Sequence, residues 1–194
     1  MSLHNKLVTT RILLKGKIKK SGKHLTLTYK RTPLKFTYNE WVAYPLEEIF
    51  VNESYGQLQV KGRKVVDIGA SVADSAIYFV TKGAKEVVGY EPDEERFATA
   101  QKNIALNHMK AKIKIKNGEY TVDKRDHSAI FKIDCEGCEY GLLEKLKTVL
   151  PREIMMEYHN GSDRIIKALE GKYKITLEEY DGDRGLLYAR RKAT

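Results

Sequence analysis

Three things are scarce in this 194-residue sequence: cysteine, long apolar runs and, near the N-terminus, acidic residues. The two cysteines, Cys135 and Cys138, are too few for a disulfide scaffold and suit a reducing cytoplasm. No apolar run approaches the roughly 18 residues that a membrane span needs. Residues 1–20 also lack the uninterrupted apolar stretch of a signal peptide. We therefore expect a cytoplasmic protein without a membrane span.

Acidic residues are missing from one segment only. Residues 1–39 contain ten Lys and Arg and no Asp or Glu, whereas the remainder holds 25 basic and 26 acidic residues. The net charge of +9 therefore lies in the N-terminal fifth of the chain, and the rest is nearly neutral. A basic segment of this kind either binds a polyanion such as RNA or forms a solvated surface.

The remaining composition fits a folded α/β protein. Hydrophobic residues make up 42 % of the chain, enough for a sizeable core. From Lys64 onward, short apolar strands alternate with amphipathic helices, which predicts right-handed βαβ units and a doubly wound, mostly parallel sheet. A closing hairpin around Gly182 makes the last strand antiparallel. We predict a basic N-terminal β/α extension at residues 1–52, packed on a main domain at residues 53–194.

The first turn of the alternating region carries two carboxylates. A doubly wound sheet binds its ligand at the carboxyl ends of its strands. Asp67, Gly69 and Asp74 surround that point of the first strand, and the G-x-G-x-x-G fingerprint of dinucleotide sites is absent. Two carboxylates disfavour a pyrophosphate but suit the ammonium and sulfonium of S-adenosylmethionine. The alternative is an ordinary turn capped by Ser71 or Asp74.

The second strand ends in an acidic residue, Glu91, whose spacing from the first strand end is typical of a ribose-binding acid. Glu91 lies 24 positions beyond Asp67, near the spacing at which an acid accepts both ribose hydroxyls of an adenosine. Pro92 ends the strand, and Asp93 favours the next helix N-terminus. A solvated strand end is the alternative interpretation of Glu91, but the two turns together are more specific than either.

More polar residues follow the two strands after that. Asp134, Glu136 and Glu139 lie within six residues at the end of one strand, and Glu157 and His159 end the next. Because these ends share one edge of the sheet, all five side chains are candidates for the chemistry. Carboxylates and histidine remove protons from acceptor groups.

The cysteines stand in a Cys-x-x-Cys pattern within the first of these turns. A structural zinc site needs four ligands, and there is no second cysteine pair, so we predict no metal site. We expect Cys135 and Cys138 to pack as two small side chains beside the turn.

These stretches resemble the FkbM family of class I S-adenosylmethionine-dependent methyltransferases, over roughly Glu48 to His159. The Lys-Ile-Asp-x-Glu-Gly-x-Glu stretch is the most specific part of the resemblance. The matching segments are Val65–Ala70, Asp74–Ser75, Gly83–Asp93, Asn103–Asn107, Lys132–Glu139 and Glu157–His159.

The resemblance implies a Rossmann-like methyltransferase fold, S-adenosylmethionine as cofactor, and O-methylation of a hydroxyl on a sugar, glycan or other small molecule. In the family pattern, the residues of the first turn line the methionine end of the cofactor and Glu91 holds the ribose. The predicted cofactor-binding residues are Asp67, Gly69, Ala70, Ser71, Asp74, Glu91, Pro92 and Asn117. The predicted catalytic residues are Asp134, Glu136 and His159, with His159 as the base.

One departure from the family pattern and the basic segment keep two other functions open. Ala73 stands where the family usually has glycine, and a methyl group close to the ligand weakens cofactor binding, as in a non-catalytic binding module. An RNA methyltransferase would instead use residues 1–39 as a phosphate-binding arm, with Tyr29, Phe36 and Tyr38 available for stacking. An exposed strand edge in that segment would allow a homodimer.

Overall fold

The computed structural model describes residues 18–39 and 42–193. It contains a seven-stranded sheet with helices on both faces and a smaller three-stranded sheet. A short 3₁₀ turn covers Lys124–Asp126. The elements in chain order are β1 (Ile18–Ser21), β2 (His24–Tyr29), β3 (Thr32–Thr37), α1 (Ala43–Phe50), β4 (Lys64–Ile68), α2 (Asp74–Thr81), β5 (Glu86–Glu91), α3 (Glu94–Leu106), β6 (Ile113–Asn117), β7 (Ile130–Ile133), α4 (Glu139–Val149), β8 (Glu153–Tyr158), α5 (Asp163–Leu169), β9 (Tyr173–Asp181) and β10 (Arg184–Arg191).

The strand order of the large sheet fixes where a ligand binds. The order is β6-β5-β4-β7-β8-β10-β9, and β10 runs antiparallel to both of its neighbours. The other pairs, from β6 to β8, are parallel. The order reverses between β4 and β7, which opens a crevice at the carboxyl ends of these strands. The predicted α/β fold with an antiparallel last strand is confirmed.

Two hydrophobic cores cover the two faces of this sheet. Successive residues of a strand point to opposite faces, so Val65 packs in one core and Val66 in the other. Helices α1, α2 and α3 close the first core, and α4 and α5 close the second. Strands that are buried on both faces have continuous apolar sequences, and for this reason they could be predicted from the sequence.

Residues 18–37, the described part of the basic N-terminal segment, fold as an antiparallel sheet that shares the first core. Its period-two pattern buries Leu25, Leu27, Tyr29, Leu34 and Phe36 on one face. The Tyr29 and Phe36 rings lie 5.3 and 5.9 Å from the ring of Phe50 in α1. Two of the three aromatic residues proposed for stacking on RNA are therefore core residues.

The opposite face of the small sheet is exposed and basic. Lys19 and Lys35 lie on this face, and Lys23, Lys30 and Arg31 lie in the turns of the sheet. Lys20 is exposed too, although its pairing with Leu25 places it on the side of the core. The alternation of basic and apolar residues at 11–15 predicts a further short strand, which lies outside the described residues. In the described ranges, no helix is long and apolar enough to cross a membrane.

Candidate functional site

A cavity of about 1340 Å³ opens at the carboxyl ends of β4, β5, β7 and β8. Helix α1 and the end of β9 complete its wall, because Tyr44 and Glu48 line it on one side and Glu178 and Tyr180 line it on another. The register of the sheet aligns the strand ends: Ile68 pairs with Tyr90 on one side and with Ile133 on the other. The residues that directly follow these strands therefore meet at one edge.

The turn after β4 has room for glycine alone at its first position. Gly69 has a φ of +77°, and a Cβ there would overlap the backbone oxygen of Asp134. Its N–H donates to the carbonyl of Tyr90 at 3.0 Å, and its own carbonyl accepts from the Lys132 Nζ at 2.7 Å. The turn is thus held against both neighbouring strands, and Gly69 lines the cavity.

Glu91, at the end of β5, is the most firmly held carboxylate in the cavity wall. Its side chain is nearly buried, at 4 % exposure. One carboxylate oxygen accepts from the backbone N–H of Ser71 at 2.8 Å and the other from that of Asp93 at 2.9 Å. The Asn117 side chain donates to the Glu91 carbonyl at 3.0 Å, which fixes the strand end from behind. The carboxylate is therefore oriented before any ligand arrives.

Asp74 brings a second carboxyl to the cavity. One of its oxygens accepts the backbone N–H of Ser75 at 2.8 Å, while its buried Oδ2 has no hydrogen-bond partner. Burial raises the pKa of Asp74 to about 7. A buried oxygen without a partner in a cavity wall is suited to a donor from a ligand.

The predicted cofactor-binding residues divide into two groups. Those that line the cavity are Gly69, Ser71, Asp74, Glu91 and Pro92. Those placed behind its wall are Asp67, Ala70 and Asn117.

Asp67 takes part in a buried ion pair beneath the cavity floor. It pairs in register with Lys132 of β7, and the Lys132 Nζ lies 3.2 Å from its Oδ1. Its other oxygen accepts from the Ser75 hydroxyl at 2.6 Å. Burial alone lowers the pKa of Lys132, but the carboxylates of Asp67, Asp134 and Asp74 outweigh it and raise that pKa above its ordinary value. Asp67 thus keeps a cation in place rather than contacting a ligand itself.

Three carboxyl groups meet at the other end of the cavity. Glu48 of α1, Asp134 after β7 and Glu157 of β8 all line it. The pKa of Glu48 and that of Glu157 are each raised to about 7, first by burial and then by the neighbouring carboxylates. Asp134 accepts a hydrogen bond from the Tyr55 hydroxyl at 3.3 Å and lies 3.7 Å from the Lys132 Nζ. Near neutral pH Glu48 and Glu157 are therefore partly ionised and can accept a proton.

His159 is held by carboxylates outside the cavity wall. Its Nδ1 lies 3.1 Å from the buried Glu139 and its Nε2 lies 3.5 Å from the exposed Glu136. Burial lowers its pKa, but the hydrogen bond to Glu139 and the two carboxylates raise it above the ordinary value. Of the three predicted catalytic residues, Asp134 and Glu136 line the cavity and His159 does not.

The two cysteines form a disulfide, contrary to the expectation of two reduced, separately packed side chains. Cys135 and Cys138 are bonded across the turn between β7 and α4. Within that turn Glu136 and Gly137 have φ angles of +54° and +112°, which let the chain fold back and bring the sulfurs together. The expectation of two separate thiols rested on a reducing cytoplasm, and a sequence pattern does not show the backbone angles of this turn. Both cysteines line the cavity.

Ala73 packs into the core rather than toward the cavity. It is fully buried at the start of α2 with a φ of 65°. The left-handed conformation explains why related turns prefer glycine at this position. Its methyl group does not line the cavity, so the geometry does not support the weakened cofactor binding expected from it.

Sequence reasoning gave no role to several residues of the cavity. Lys132 was detectable as a lone lysine in an otherwise apolar strand, because a charge in such a strand needs a buried partner. Glu48, Tyr44 and Tyr180 come from segments far from the strand ends along the chain, and no local pattern marks them. Within residues 18–39 and 42–193, His, Cys, Asp and Glu side chains form no group of three or more suited to a metal ion.

Comparisons with known proteins agree with this architecture. Residues 51–131 match the family model of the ribosomal protein L11 methyltransferase, PrmA. The chain is 39 % identical over 103 residues to the uncharacterized protein 65 of Sulfolobus islandicus filamentous virus (isolate Iceland/Hveragerdi), which covers 51 % of this chain and 57 % of that protein. A second viral protein is matched over 56 % of its length. The chain thus spans little more than half the length of the curated relatives it matches.

Solved structures share the fold at low sequence identity. M. jannaschii TYW2 in complex with AdoMet has a TM-score of 0.58 and 17 % identity, covering 90 % of this chain and 89 % of that one. The B. subtilis m1A22 tRNA methyltransferase TrmK has a TM-score of 0.60 and 16 % identity, covering 72 % and 64 %. At these identities the likeness establishes the fold.

The matched family model is that of a methyltransferase, and two of the solved structures of similar fold hold S-adenosylmethionine. These matches do not establish the FkbM family. The names of the matched enzymes refer to RNA or protein substrates rather than sugars.

Proposed function

We propose that this protein is an S-adenosylmethionine-dependent methyltransferase that acts on RNA. The observation that best supports this cofactor is the Glu91 carboxylate, which is nearly buried and is fixed by the backbone N–H groups of Ser71 and Asp93. Each of its oxygens accepts one backbone bond and keeps capacity for another. Two ribose hydroxyls can donate to that remaining capacity.

The rest of the cavity also fits this cofactor. The unpartnered Oδ2 of Asp74 suits the ammonium of the methionine end, and the missing side chain at Gly69 lets the ligand approach the backbone closely. The carboxylates around Asp134 favour a sulfonium cation. When bound, S-adenosylmethionine supplies a methyl group on a sulfonium sulfur, which leaves as a neutral thioether.

The carboxyl groups of the cavity can remove the proton that the acceptor loses on methylation. An oxygen or nitrogen of the acceptor bonds to the methyl carbon with a lone pair and must release its proton. Glu157, with a pKa of about 7, is ionised in part at neutral pH and can accept that proton. We assign the base to Glu157 rather than to His159, since His159 is engaged with Glu136 and Glu139. Asp134, held by Tyr55, orients the acceptor.

The basic face of the small sheet supports RNA as the acceptor. The small sheet and its turns together carry six exposed Lys and Arg residues, and residues 18–39 contain no acidic residue. Helix α1 joins this sheet to the cavity: Phe50 packs against the sheet, while Tyr44 and Glu48 line the cavity. RNA phosphates bound to the basic face would therefore lie one short helix away from the site of transfer.

A hydroxyl on a sugar or glycan is the second candidate acceptor. The FkbM resemblance favours it, and so do the carboxyl groups of the cavity, which would repel a phosphate inside it. Glu48 and Glu157 can remove a hydroxyl proton as readily as an amine proton. A homodimer and a cytoplasmic location stay predictions.

Binding of the cofactor to a Glu91 variant tests the proposal. Glu91→Ala removes two charge-assisted hydrogen bonds, each contributing roughly 1.5–3 kcal/mol. Titration calorimetry should show affinity for S-adenosylmethionine falling at least about tenfold. Glu95→Ala removes an exposed carboxylate of α3 and should leave the affinity unchanged. Equal binding by wild type and Glu91→Ala would remove the ribose role of Glu91.

A further inference from the structure

We propose that the mouth of the cavity is a nucleobase site, in which Tyr44 and Tyr180 stack an unpaired base that carries an exocyclic amino group. Glu48 and Glu157 accept the N–H groups of that base. The inference rests on the RNA acceptor proposed above and names the part of the RNA that enters the cavity.

The exposed aromatic residues of the described chain are concentrated at this mouth. In the described ranges, large apolar side chains are markedly exposed at Tyr44 (51 %), Tyr180 (49 %) and Val122. Both tyrosines line the cavity and Val122 does not. Aromatic faces left in solvent beside a cavity are the usual platform for an unstacked base.

Two elements each present a tyrosine and a glutamate to the mouth. Tyr44 and Glu48 are four residues apart in α1, which places them on one face of the helix. Glu178 and Tyr180 lie near the end of β9, where a β-bulge interrupts the pairing with β10, and both line the cavity. The Tyr180 hydroxyl interacts electrostatically with Glu157, Glu48, Glu178 and Tyr44, so the two elements converge. The mouth thus has an aromatic wall on two sides and acceptors between them.

The charge of the cavity selects which part of the RNA can enter. Nine acidic side chains line the cavity against four basic ones, which are Arg96, Lys132, Lys145 and Arg184. This excess of carboxyl groups disfavours phosphate, so the backbone stays outside, on the basic small sheet. An ionised carboxylate only accepts hydrogen bonds. Adenine, cytosine and guanine each offer an amino group with two N–H donors at the base-pairing edge, whereas uracil offers a single ring N–H flanked by two carbonyl oxygens, which a carboxylate repels. The site should therefore admit amino-bearing bases and disfavour uracil.

Binding of labelled homopolymer RNA tests this selection. The full chain is titrated into fluorescein-labelled oligo(A), oligo(C) and oligo(U) of about twelve nucleotides, with anisotropy read at about pH 8, where groups with a pKa of about 7 are mostly ionised. Cytosine and uracil form the matched comparison, because they have similar size and stacking and differ in the amino group. We expect oligo(C) and oligo(A) to bind at least about fivefold more tightly than oligo(U).

Variants separate the stacking from the hydrogen bonds. Tyr180→Ala should weaken oligo(A) binding by about tenfold, and Tyr180→Phe should retain it because the ring remains. Glu157→Gln should remove the preference for oligo(C) over oligo(U). Val122→Ala, which changes an exposed side chain outside the cavity, serves as the control. Unchanged S-adenosylmethionine binding in the Tyr180 variants shows that they are folded.

Each outcome bears on one of the two proposals. Equal affinity for all three oligonucleotides, insensitive to Tyr180→Ala, would overturn the nucleobase site and leave the RNA acceptor standing. Failure of every oligonucleotide to bind would overturn the RNA acceptor, and the nucleobase site with it. Both results leave the cofactor proposal to its own test with Glu91→Ala.

Discussion

At the scale of a single residue, Lys132 is the buried cation that pairs with two carboxylates of the site. Its ammonium group is almost fully buried and lies near the carboxylates of Asp67 and Asp134 while donating to the Gly69 carbonyl. An unpaired buried charge would be strongly destabilising, so each of these partners supports the others. The turn at Gly69 and the carboxylate of Asp134 are thereby tied to one cation.

The pH dependence of turnover tests the role of Glu157. A general base acts in its ionised form, and burial raises the pKa of Glu157 to about 7. Turnover should therefore rise between about pH 6 and pH 8 and level off above. Glu157→Gln should lower the turnover number by about 10²–10⁴ and flatten this limb. Steady-state methyl transfer from labelled S-adenosylmethionine measures both.

Stability measurements on the same variant exclude a folding defect. Because the folded-state pKa of Glu157 lies above its ordinary value, its stabilising contribution is present at low pH and is lost as pH rises through about 7. The free energy of unfolding of Glu157→Gln minus that of wild type should therefore be larger at pH 8 than at pH 5. Glu95→Gln should match wild type in both assays. Full turnover in Glu157→Gln would contradict the assignment of the base.

At the residue scale, sequence reasoning found the groups that local geometry requires. Gly69 follows the end of β4 and Glu91 is the last residue of β5. Ligands of a doubly wound sheet bind at these strand ends, so the local sequence is enough to select both residues. Glu48 and Tyr180 reach the cavity from distant segments through tertiary packing. No spacing along the chain encodes that approach. His159 looked suitable by residue type, but its hydrogen bonds to carboxylates are visible only in three dimensions.

At the scale of elements, the turn between β7 and α4 is closed by its own covalent bond. The Cys135–Cys138 disulfide spans four residues, and the turn carries Asp134 at its start and Glu139 at its end. Glu139 accepts from the backbone N–H of Gly137 at 3.1 Å and contacts His159. The bond therefore restrains the segment that forms one rim of the cavity.

Removing this disulfide should lower stability by an amount set by its short loop. Chain-entropy arguments give about 2 kcal/mol for a four-residue ring, or roughly 4–8 °C in Tm for a chain of this size. Thermal unfolding of a variant with Cys135→Ser and Cys138→Ser measures this decrease. Dithiothreitol should lower the Tm of wild type similarly and leave the serine variant unaffected. Two alkylatable thiols in unreduced wild type would contradict the disulfide.

The small sheet should contribute binding energy to RNA through charge alone. Lys19, Lys20 and Lys23 are exposed, so replacing all three by alanine should weaken RNA binding without unfolding the sheet. The slope of log affinity against log salt should fall by about 0.7 for each phosphate that the variant no longer neutralises. Fluorescence anisotropy across a salt series measures this slope.

The matched control changes the same charge elsewhere. Alanine at Lys110, Lys112 and Lys114 removes three exposed lysines near the start of β6 and should leave the slope unchanged. Charge variants are preferable to truncation at Asn39, since truncation would uncover the core that Leu25 and Phe36 complete. Equal slopes for both triple variants would leave the basic face without a role in RNA binding.

The elements themselves were predictable because two periodicities mark them. Strands β4, β5 and β7 are short apolar runs in the sequence, and α3 is an amphipathic repeat. The small sheet was foreseen as strands from its alternation, but its packing against α1 was not. Such packing depends on the complementary shapes of Phe50 and Tyr78 with Tyr29, which a pattern in one segment does not contain.

At the scale of the whole molecule, charge is separated between an acidic cavity and a basic outer face. Carboxyl groups outnumber basic side chains in the cavity wall, and the exposed Lys and Arg residues of 18–39 lie on the small sheet that packs against α1. This separation suits a polyanion whose backbone stays outside while one uncharged group enters. It also explains why the overall charge of +9 and an acid-rich site coexist in one chain.

Transfer of a labelled methyl group to a mixture of acceptors tests the central claim most directly. Wild-type protein is incubated with methyl-labelled S-adenosylmethionine and equal amounts of total cellular RNA and cellular polysaccharide, and the label in each fraction is counted. We expect label in the RNA, removed by ribonuclease and abolished by Glu157→Gln but not by Glu95→Gln. Label in the polysaccharide alone would contradict RNA as the acceptor, and label in neither fraction while S-adenosylmethionine still binds would contradict the proposed RNA and sugar acceptors alike.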